Sequence, residues 1–516
     1  MTERKNKRAL ISVSDKTGIV ALGRDLARLG WEIVSTGGTA RALQEAGIAI
    51  KKVQEITGFP EILDGRVKTL NPKIHGGILA RLDQAEHRRQ MAEQGIEPIH
   101  LVVVNLYPFA KTVSQPGVTL EEAIENIDVG GPTMVRAAAK NFAHIAVVVN
   151  PDRYGQVIAE IEESGMVSPE TRCRLAAEAF AHTAQYDALI AAYFAALPQL
   201  AGDLFPAALS LPFEKVQDLR YGENPQQAAA FYYAVGEDGL ATARQLQGKE
   251  LSFNNLNDLN AAWELVLEFA EPTVVAVKHA NPCGVGSAAA IADAYRLAYE
   301  ADPVSIFGGV IAVNRPVDEA TAREMVKLFL EVVAAPSFSA GARQVLAGKK
   351  DIRLLEMDPA QASGGRFDLK KVAGGLLLQT IDREPVDRAG ARVVTERAPG
   401  EEEWEQLLFA QKVVKHVKSN AIVVARAGQT LGVGAGQMSR IAAARIALQQ
   451  AGEQARGAVL GSDAFFPFPD TVEAAAAAGI TAIIQPGGSL KDAEAIAACN
   501  RLGLAMVFTG RRYFKH

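Results

Sequence analysis

The stretch from Val274 to Ala288, VVAVKHANPCGVGSA, sets Lys278, His279 and Cys283 directly after a run of β-branched residues. Two chemistries use such residues. A histidine near a Pro-Cys pair is half of the zinc site of nucleobase deaminases, which needs His-x-Glu and Pro-Cys-x-x-Cys. Here Ala280 and Asn281 follow His279, and Gly284, Val285 and Gly286 follow Cys283, so the glutamate and the second cysteine are missing. Ligand counting removes the metal. What remains is a histidine able to exchange a proton near neutral pH and a lysine that, once desolvated, acts as an acid or steadies developing charge. From spacing alone, a strand-end lysine in solvent beside a capped histidine fits as well.

A second group lies near the N-terminus. STGGT (35–39) stands between a predicted strand and a predicted helix, where glycines let backbone N–H groups approach an anion at the helix N-terminus. Ser12, Ser14 and Lys16 of SVSDKTG lie at the carboxyl edge of the preceding strand, the edge where ligands bind in parallel sheets. No G-x-G-x-x-G opens the first helix, so this is not a dinucleotide fingerprint. DGRVKTLNPKIHGGIL (64–79) packs Arg66, Lys68, Lys73 and His75 among chain breakers, and NLYPF ends a strong strand with Asn105 and Tyr107. DVGGPTMVRAAAKN (128–141) starts a helix at Gly-Gly-Pro and sets Arg136 and Lys140 one turn apart. Each fits a plain structural role; together they describe a cationic pocket for a phosphorylated ligand, with Lys68, Tyr107, Asp128 and Lys140 available for proton transfer.

The elements that must carry these residues are α/β. RALISVS, WEIVS, HLVVVNLYPF and HIAVVVN read as strands, the last two apolar enough to be buried on both faces of a parallel sheet. Helical patterns alternate with them, which predicts a doubly wound domain over 1–200 closed by a long helix near 168–198. Pro206 and Pro212 mark a linker at 201–212, and a second domain spans 213–516. There Arg220 and Tyr221 precede a Gly/Asn/Pro turn, and LSFNNLNDLNAAW is dense in asparagines suited to caps or to reading a heterocycle. An internal echo pairs VVAVKHANPCGV (274–285) with QKVVKHVKSNAIVV (411–424), and DPVSIFGG with SDAFFPF. It predicts two duplicated α/β subdomains, about 213–380 and 381–516.

The 516 residues are 48% hydrophobic and 22% charged, with a net charge of −5, which gives no global basic surface for nucleic acid. Three widely spaced cysteines fit neither a disulfide framework nor a zinc cluster and favour a reducing, cytoplasmic setting. The basic start lacks the long apolar core of a secretory signal. The most apolar stretch, 188–213, is broken by prolines and Asp203 before it could span a membrane.

Taken in order, these motifs resemble the bifunctional purine biosynthesis family that joins AICAR transformylase to IMP cyclohydrolase. STGGT, GRVKTLNPKIHGG, NLYPF and DVGGPTMVRAAAKN look like its cyclohydrolase half; LRYGENPQQ, KHANPCG, DPVSIFGG, VKSNAI, GVGAGQMSR, SDAFFPF and RRYFKH look like its transformylase half. The resemblance implies a methylglyoxal-synthase-like N-terminal domain and a transformylase of two cytidine-deaminase-like subdomains. It also implies a homodimer with folate sites completed across the interface and 10-formyltetrahydrofolate as co-substrate without a metal. AICAR, its formylated product (FAICAR) and IMP are the expected ligands, with neither nucleic acid nor membrane as partner. By resemblance, His279 assists deprotonation of the amine, Lys278 protonates the departing N10 and Asn420 steadies the formyl oxygen. Arg220, Tyr221 and Arg512 match nucleotide contacts, Asn255 a substrate-contacting asparagine, and Phe307 and Phe465 aromatic residues lining the substrate and folate region; Glu331 matches a folate contact at which some members carry aspartate. Lys68, Tyr107, Asp128 and Lys140 match the cyclohydrolase group. Ser14, Lys16, Thr36, Gly37, Gly38, Thr39, Arg66 and Thr69 match its nucleotide pocket. The rivals are a nucleobase deaminase, which lacks its ligands, and a non-catalytic sensor of a phosphorylated metabolite, which leaves the Lys-His pair unexplained.

Overall fold

The computed structural model describes residues 7–115, 117–197, 204–361 and 365–516. Met1–Asn6 of the basic start, and residues 201–203 of the expected linker with its Asp203, lie outside them. The chain forms two compact units, residues 1–214 with 234–236, and residues 215–233 with 237–516. The division between Glu214 and Lys215 lies just beyond the stretch read as a linker.

In the first unit, β1 (Arg8–Val13), β2 (Glu32–Ser35), β3 (Lys51–Lys52), β4 (Leu101–Asn105) and β5 (Ala146–Val148) form a sheet in the order β3-β2-β1-β4-β5. All its pairings are parallel. Successive side chains of a strand point to opposite faces, so Ala9, Ile11 and Val13 join one core while Leu10 joins the other. Both faces are covered, which explains the continuous apolar runs. The strand order reverses between β1 and β4, and that switch point opens a crevice at the carboxyl edge. The predicted long helix is Pro169–Ala195, capped by the Ser168 hydroxyl.

A hairpin, β6 (Phe213–Leu219) and β7 (Ala229–Ala234), precedes the large sheet of the second unit. Its first half comprises β8 (Arg244–Gln247), β9 (Thr273–Lys278), β10 (Asn281–Ser287), β11 (Val310–Val313), β12 (Val332–Ala335) and β13 (Arg353–Glu356). A separate hairpin, β14 (Phe367–Val372) and β15 (Gly375–Thr380), follows. The second half comprises β16 (Arg392–Val393), β17 (Ile422–Arg426), β18 (Gln429–Gly434), β19 (Val459–Ser462), β20 (Ala482–Gln485) and β21 (Ala505–Phe508). The halves repeat one arrangement, β8-β13-β12-β11-β9-β10 and β16-β21-β20-β19-β17-β18, and join through antiparallel β10 and β18.

The duplication is therefore one continuous sheet of twelve strands, not two separate sheets. Helices Phe253–Val266 and Glu401–Val414 share a single core on one face, whereas the other face carries one core per half. The echo read from sequence had the right meaning in the wrong register. Its second Val-Lys-His, Val414–His416, ends the helix Glu401–Val414 rather than a strand. The partner of the β9–β10 hairpin is the β17–β18 hairpin, and DPVSIFGG precedes β11 while SDAFFPF begins at the end of β19. An apolar run of this length reads alike as a buried helix or a buried strand, which is why the periodicity misaligned them.

The signal that does repeat is Gly-Val-Gly, at 284–286 and 432–434. A Cβ on Gly284 or Gly286 would overlap the carbonyls of Ala298 and Ala294, and one on Gly432 or Gly434 those of Ala447 and Ala443. Each hairpin thus lets a helix, Ile291–Ala301 or Arg440–Ala451, lie directly on its backbone. Gly434→Ala is expected to cost about 1–3 kcal/mol by overpacking, read as a lower denaturation midpoint. An unchanged midpoint would refute this account of the contact.

Candidate functional site

Two clusters gather the residues singled out above, one in each unit. In the first, Thr39 closes the turn after β1: its hydroxyl donates to the Val13 carbonyl (2.9 Å) and accepts from the Val13 N–H (3.0 Å). Thr36 precedes the helix Gly37–Glu45, and Gly37 adopts φ +57°, a left-handed conformation that glycine takes without strain. A Cβ on Gly37 would lie 3.9 Å from Lys68 Nζ, and one on Gly38 3.6 Å from Lys16 Nζ. Two ammonium groups therefore flank free helix N–H groups, an arrangement that suits a phosphate. A cleft of about 260 Å³ opens there, lined by Thr36, Gly37 and Lys68, and beyond them by Arg41, Lys52 and Phe59.

Asp128 lies just before the helix Gly130–Lys140 and accepts the Gly131 N–H at 2.8 Å. Burial pushes its carboxyl above the ordinary carboxylate value, against the opposing pull of backbone N–H groups and Lys68. The Asp128 N–H donates to the Tyr186 hydroxyl at 2.7 Å, and the Tyr107 backbone also bonds the carboxylate. Lys68 is held by Glu61 at 3.1 Å. Lys68, Tyr107 and Asp128 are thus brought together. Lys140 is not: it is exposed at the far end of the helix, about 15 Å along the axis from Gly130. Asn105 clasps the Ser14–Lys16 loop, accepting the N–H groups of Ser14 (2.6 Å) and Asp15 (2.9 Å). Arg66 pairs with Glu125, and Thr69 is buried against Gly130.

In the second unit, β9 and β10 are joined by His279 and Ala280, with φ +52° and +56°. Two left-handed residues make the tightest hairpin turn, one that normally takes Asn-Gly. Here the conformation costs about 1–2 kcal/mol per residue. The turn is pinned by Asp258, which accepts the Ala280 N–H at 2.7 Å. Lys278 reaches back to donate to the carbonyls of Phe307 (3.0 Å) and Gly308 (2.9 Å). Asn281 then links the turn to the other half of the sheet: its amide donates to the His279 carbonyl (3.1 Å) and accepts the Lys418 N–H (3.1 Å). Two residues on stands Asn420. Burial pushes the Cys283 thiol up to about 12, and Sγ approaches the Ala276 carbonyl.

Other expected residues of the second unit differ in their freedom. Phe307 is 57% exposed, stacked obliquely on Phe329, and Phe465 is exposed after β19. The Arg220 guanidinium lies over the Tyr221 ring and donates to its hydroxyl at 2.9 Å. Arg512 lies over Phe514. Glu331 is engaged by Arg353 at 2.7 Å. Asn255 completes a capping box with Ser252, so its Oδ1 serves the helix start. The sequence reading passed over Arg41, Asp258, Asn281, Arg440 and Asp463. Arg41 had a signal, since Gly37, Arg41 and Gln44 share one helix face; the others act through long-range contacts that spacing does not encode.

Comparison with known proteins bears on both units. The family described as MGS-like domain matches residues 18–133, and the AICARFT/IMPCHase bienzyme family matches residues 138–450. The "Bifunctional purine biosynthesis protein PurH" of Acetivibrio thermocellus is 58% identical over 514 residues, 99% of this chain and 100% of that protein. Its namesakes in Ruminiclostridium cellulolyticum and Anoxybacillus flavithermus are 57% and 56% identical, each over 99% of this chain and all of their own length.

The Asp128 carboxyl gives a pH test. With its folded value raised, the unfolded chain releases that proton more readily, so the associated stability is full below about pH 4 and is lost as pH rises through the folded value. Asp128→Asn removes this dependence. Its stability relative to the unsubstituted chain, from denaturation midpoints of the first unit, is expected to improve as pH rises above about 4 and to level off once pH passes the folded value. A difference constant across that range would sink the burial argument.

Proposed function

Because the chain belongs to the AICARFT/IMPCHase bienzyme family, we propose that the two clusters divide its two reactions between them. The protein is a bifunctional enzyme of purine biosynthesis, with AICAR formyltransferase and IMP cyclohydrolase activities. The cluster around Lys278 transfers the formyl group of 10-formyltetrahydrofolate to the 5-amino group of AICAR. The cluster around Asp128 closes FAICAR to IMP with loss of water. The observation that carries the assignment is the strained turn that fixes His279 beside Lys278 and ties both, through Asn281, to the segment before Asn420.

In formyl transfer the attacking amine is weak, since its lone pair is delocalised into the ring and carboxamide. His279, on the exposed tip of the turn, takes the amine proton as nitrogen bonds to the formyl carbon. An ammonium has three N–H groups, and two of those on Lys278 are engaged by the Phe307 and Gly308 carbonyls. The third is left for the departing N10. Asn420 offers an N–H to the formyl oxygen as negative charge grows there. Arg220, Tyr221 and Arg512 supply cationic and aromatic contacts for the nucleotide.

In ring closure the carboxamide nitrogen attacks the formyl carbon and a hydroxyl leaves as water. Lys16, Lys68 and the Gly37–Gly38 turn hold the phosphate. The raised Asp128 carboxyl retains its proton to higher pH than an ordinary carboxylate and exchanges it with the substrate, with Tyr107 beside it. Lys140 has no part in this assignment. We further infer a homodimer in the cytoplasm; large apolar side chains left exposed, among them Met438 and Leu490, support the dimer.

The test supplies AICAR and 10-formyltetrahydrofolate and follows tetrahydrofolate and IMP separately. Lys278→Ala is expected to lower formyl transfer at least about 10²-fold while supplied FAICAR is still cyclised at the unsubstituted rate. Loss of both activities in a folded variant would overturn the division into two sites, and tight AICAR binding without turnover by the unsubstituted chain would favour a sensor.

A further inference from the structure

We infer that Asp463 is a positioning residue for formyl transfer: it holds Arg440 so that the Asn420 amide presents its N–H, and not its oxygen, to the reacting formyl group. This rests on the role assigned to Asn420 above. Asp463 follows β19 and is fully buried, and its carboxylate pairs with the buried Arg440 of the helix Arg440–Ala451. Arg440 also donates to the Ala421 carbonyl (3.2 Å) and to Asn420 Oδ1 (2.7 Å).

That last bond settles the orientation of the amide. A guanidinium only donates, so the Asn420 atom facing it must be the oxygen. Nδ2 is then turned the other way, where one of its two N–H groups reaches the Gln437 carbonyl at 2.8 Å and the other remains for a ligand. Without the arginine, only the Gln437 carbonyl would hold the amide, and rotation would present an acceptor where negative charge develops. Arg440 cannot lie there alone, because a buried guanidinium requires a counter-charge, which Asp463 supplies.

Asp463 also ties down the chain around Asn420. Its Oδ2 accepts the Ser419 hydroxyl at 2.5 Å, and that hydroxyl accepts the Lys515 N–H at 3.1 Å. The Asp463 carbonyl accepts the Tyr513 N–H at 2.9 Å. The backbone bond, which anchors the tail carrying Arg512, survives a change of side chain. Asp463→Asn is therefore directed at the carboxylate and its hold on Arg440.

The experiment is a double-mutant cycle on the full chain, with Asp463→Asn, Asn420→Ala and both together, measuring kcat and KM for formyl transfer and cyclisation of supplied FAICAR. A misplacement on the order of 1 Å costs about 10²-fold in rate. Asp463→Asn is accordingly expected to lower formyl-transfer kcat by about 10- to 100-fold, leave both KM values within about threefold, and leave cyclisation unchanged. In the Asn420→Ala background the same change is expected to cost less than about threefold, since residues acting as one unit are non-additive. An equal loss in both backgrounds, or no loss in either, overturns the inference while leaving the role of Asn420 standing. If Asn420→Ala alone leaves formyl transfer intact, the reading of Asn420 fails, and the inference fails with it. Should Asp463→Asn not fold, Arg440→Lys carries the same cycle, because lysine keeps the charge but lacks the fork that spans Asp463 and Asn420.

Discussion

The antiparallel pairing of β10 with β18 is the contact on which the second unit depends. It is short: Gly286 lies opposite Gln429, the Ser287 N–H donates to the Gly428 carbonyl (2.8 Å), and the Val285 N–H donates to the Thr430 hydroxyl (2.9 Å). Its direction has a large consequence. Because the strands run opposite ways, the start of β10 lies at the same sheet edge as the end of β18 and hence the start of β17. The Lys278–His279 turn of one half and Asn420 of the other therefore share an edge. The parallel pairing of equivalent strands would separate them by the length of a strand. The core shared by Phe253–Val266 and Glu401–Val414 then locks the two halves against sliding.

A duplicated scaffold would be expected to place the same chemistry at both edges, yet the residues differ. The β17–β18 turn, Ala427–Gly428, keeps the left-handed geometry but carries neither lysine nor histidine. At the position of Asp463, after β11, stands Asn314, which spends its amide on backbone groups of Phe269, Glu271 and Thr273. A neutral, fully satisfied asparagine closes a strand end; a buried carboxylate with an arginine orients a partner. Backbone geometry was retained in both copies while charge was kept in one.

What could be read from the sequence follows the range of the interactions. Strand–turn–helix order, the Gly37–Gly38 anion turn and the Lys278–His279 pair are local features, and periodicity with glycine placement reveals them. The register of the duplication is not local: Val-Lys-His at the end of a helix and at the end of a strand look the same until pairing is known. Asn105 and Asn255 were grouped with ligand-binding residues, and the structure finds much of their hydrogen-bonding capacity spent on a loop and on a helix cap. Lys140 shares a helix with the Asp128 cluster, and helix length, which any sequence reading could have applied, separates them.

On the assignment proposed above, the division of labour between the two units is also a division of electrostatic strategy. Around Asp128 the decisive effect is desolvation of one carboxyl, softened by backbone N–H groups, which moves a proton-transfer equilibrium. Around Asn420 the charges are paired and buried, and the arginine holds a neutral amide through its oxygen. Ring closure must return a proton to a leaving hydroxyl, so a titrating group serves it. Formyl transfer must stabilise an oxygen whose charge appears and disappears, and a fixed dipole does this without reorganising. The second strategy needs a rigid surround, and strand ends of a twelve-stranded sheet provide more of it than a loop would.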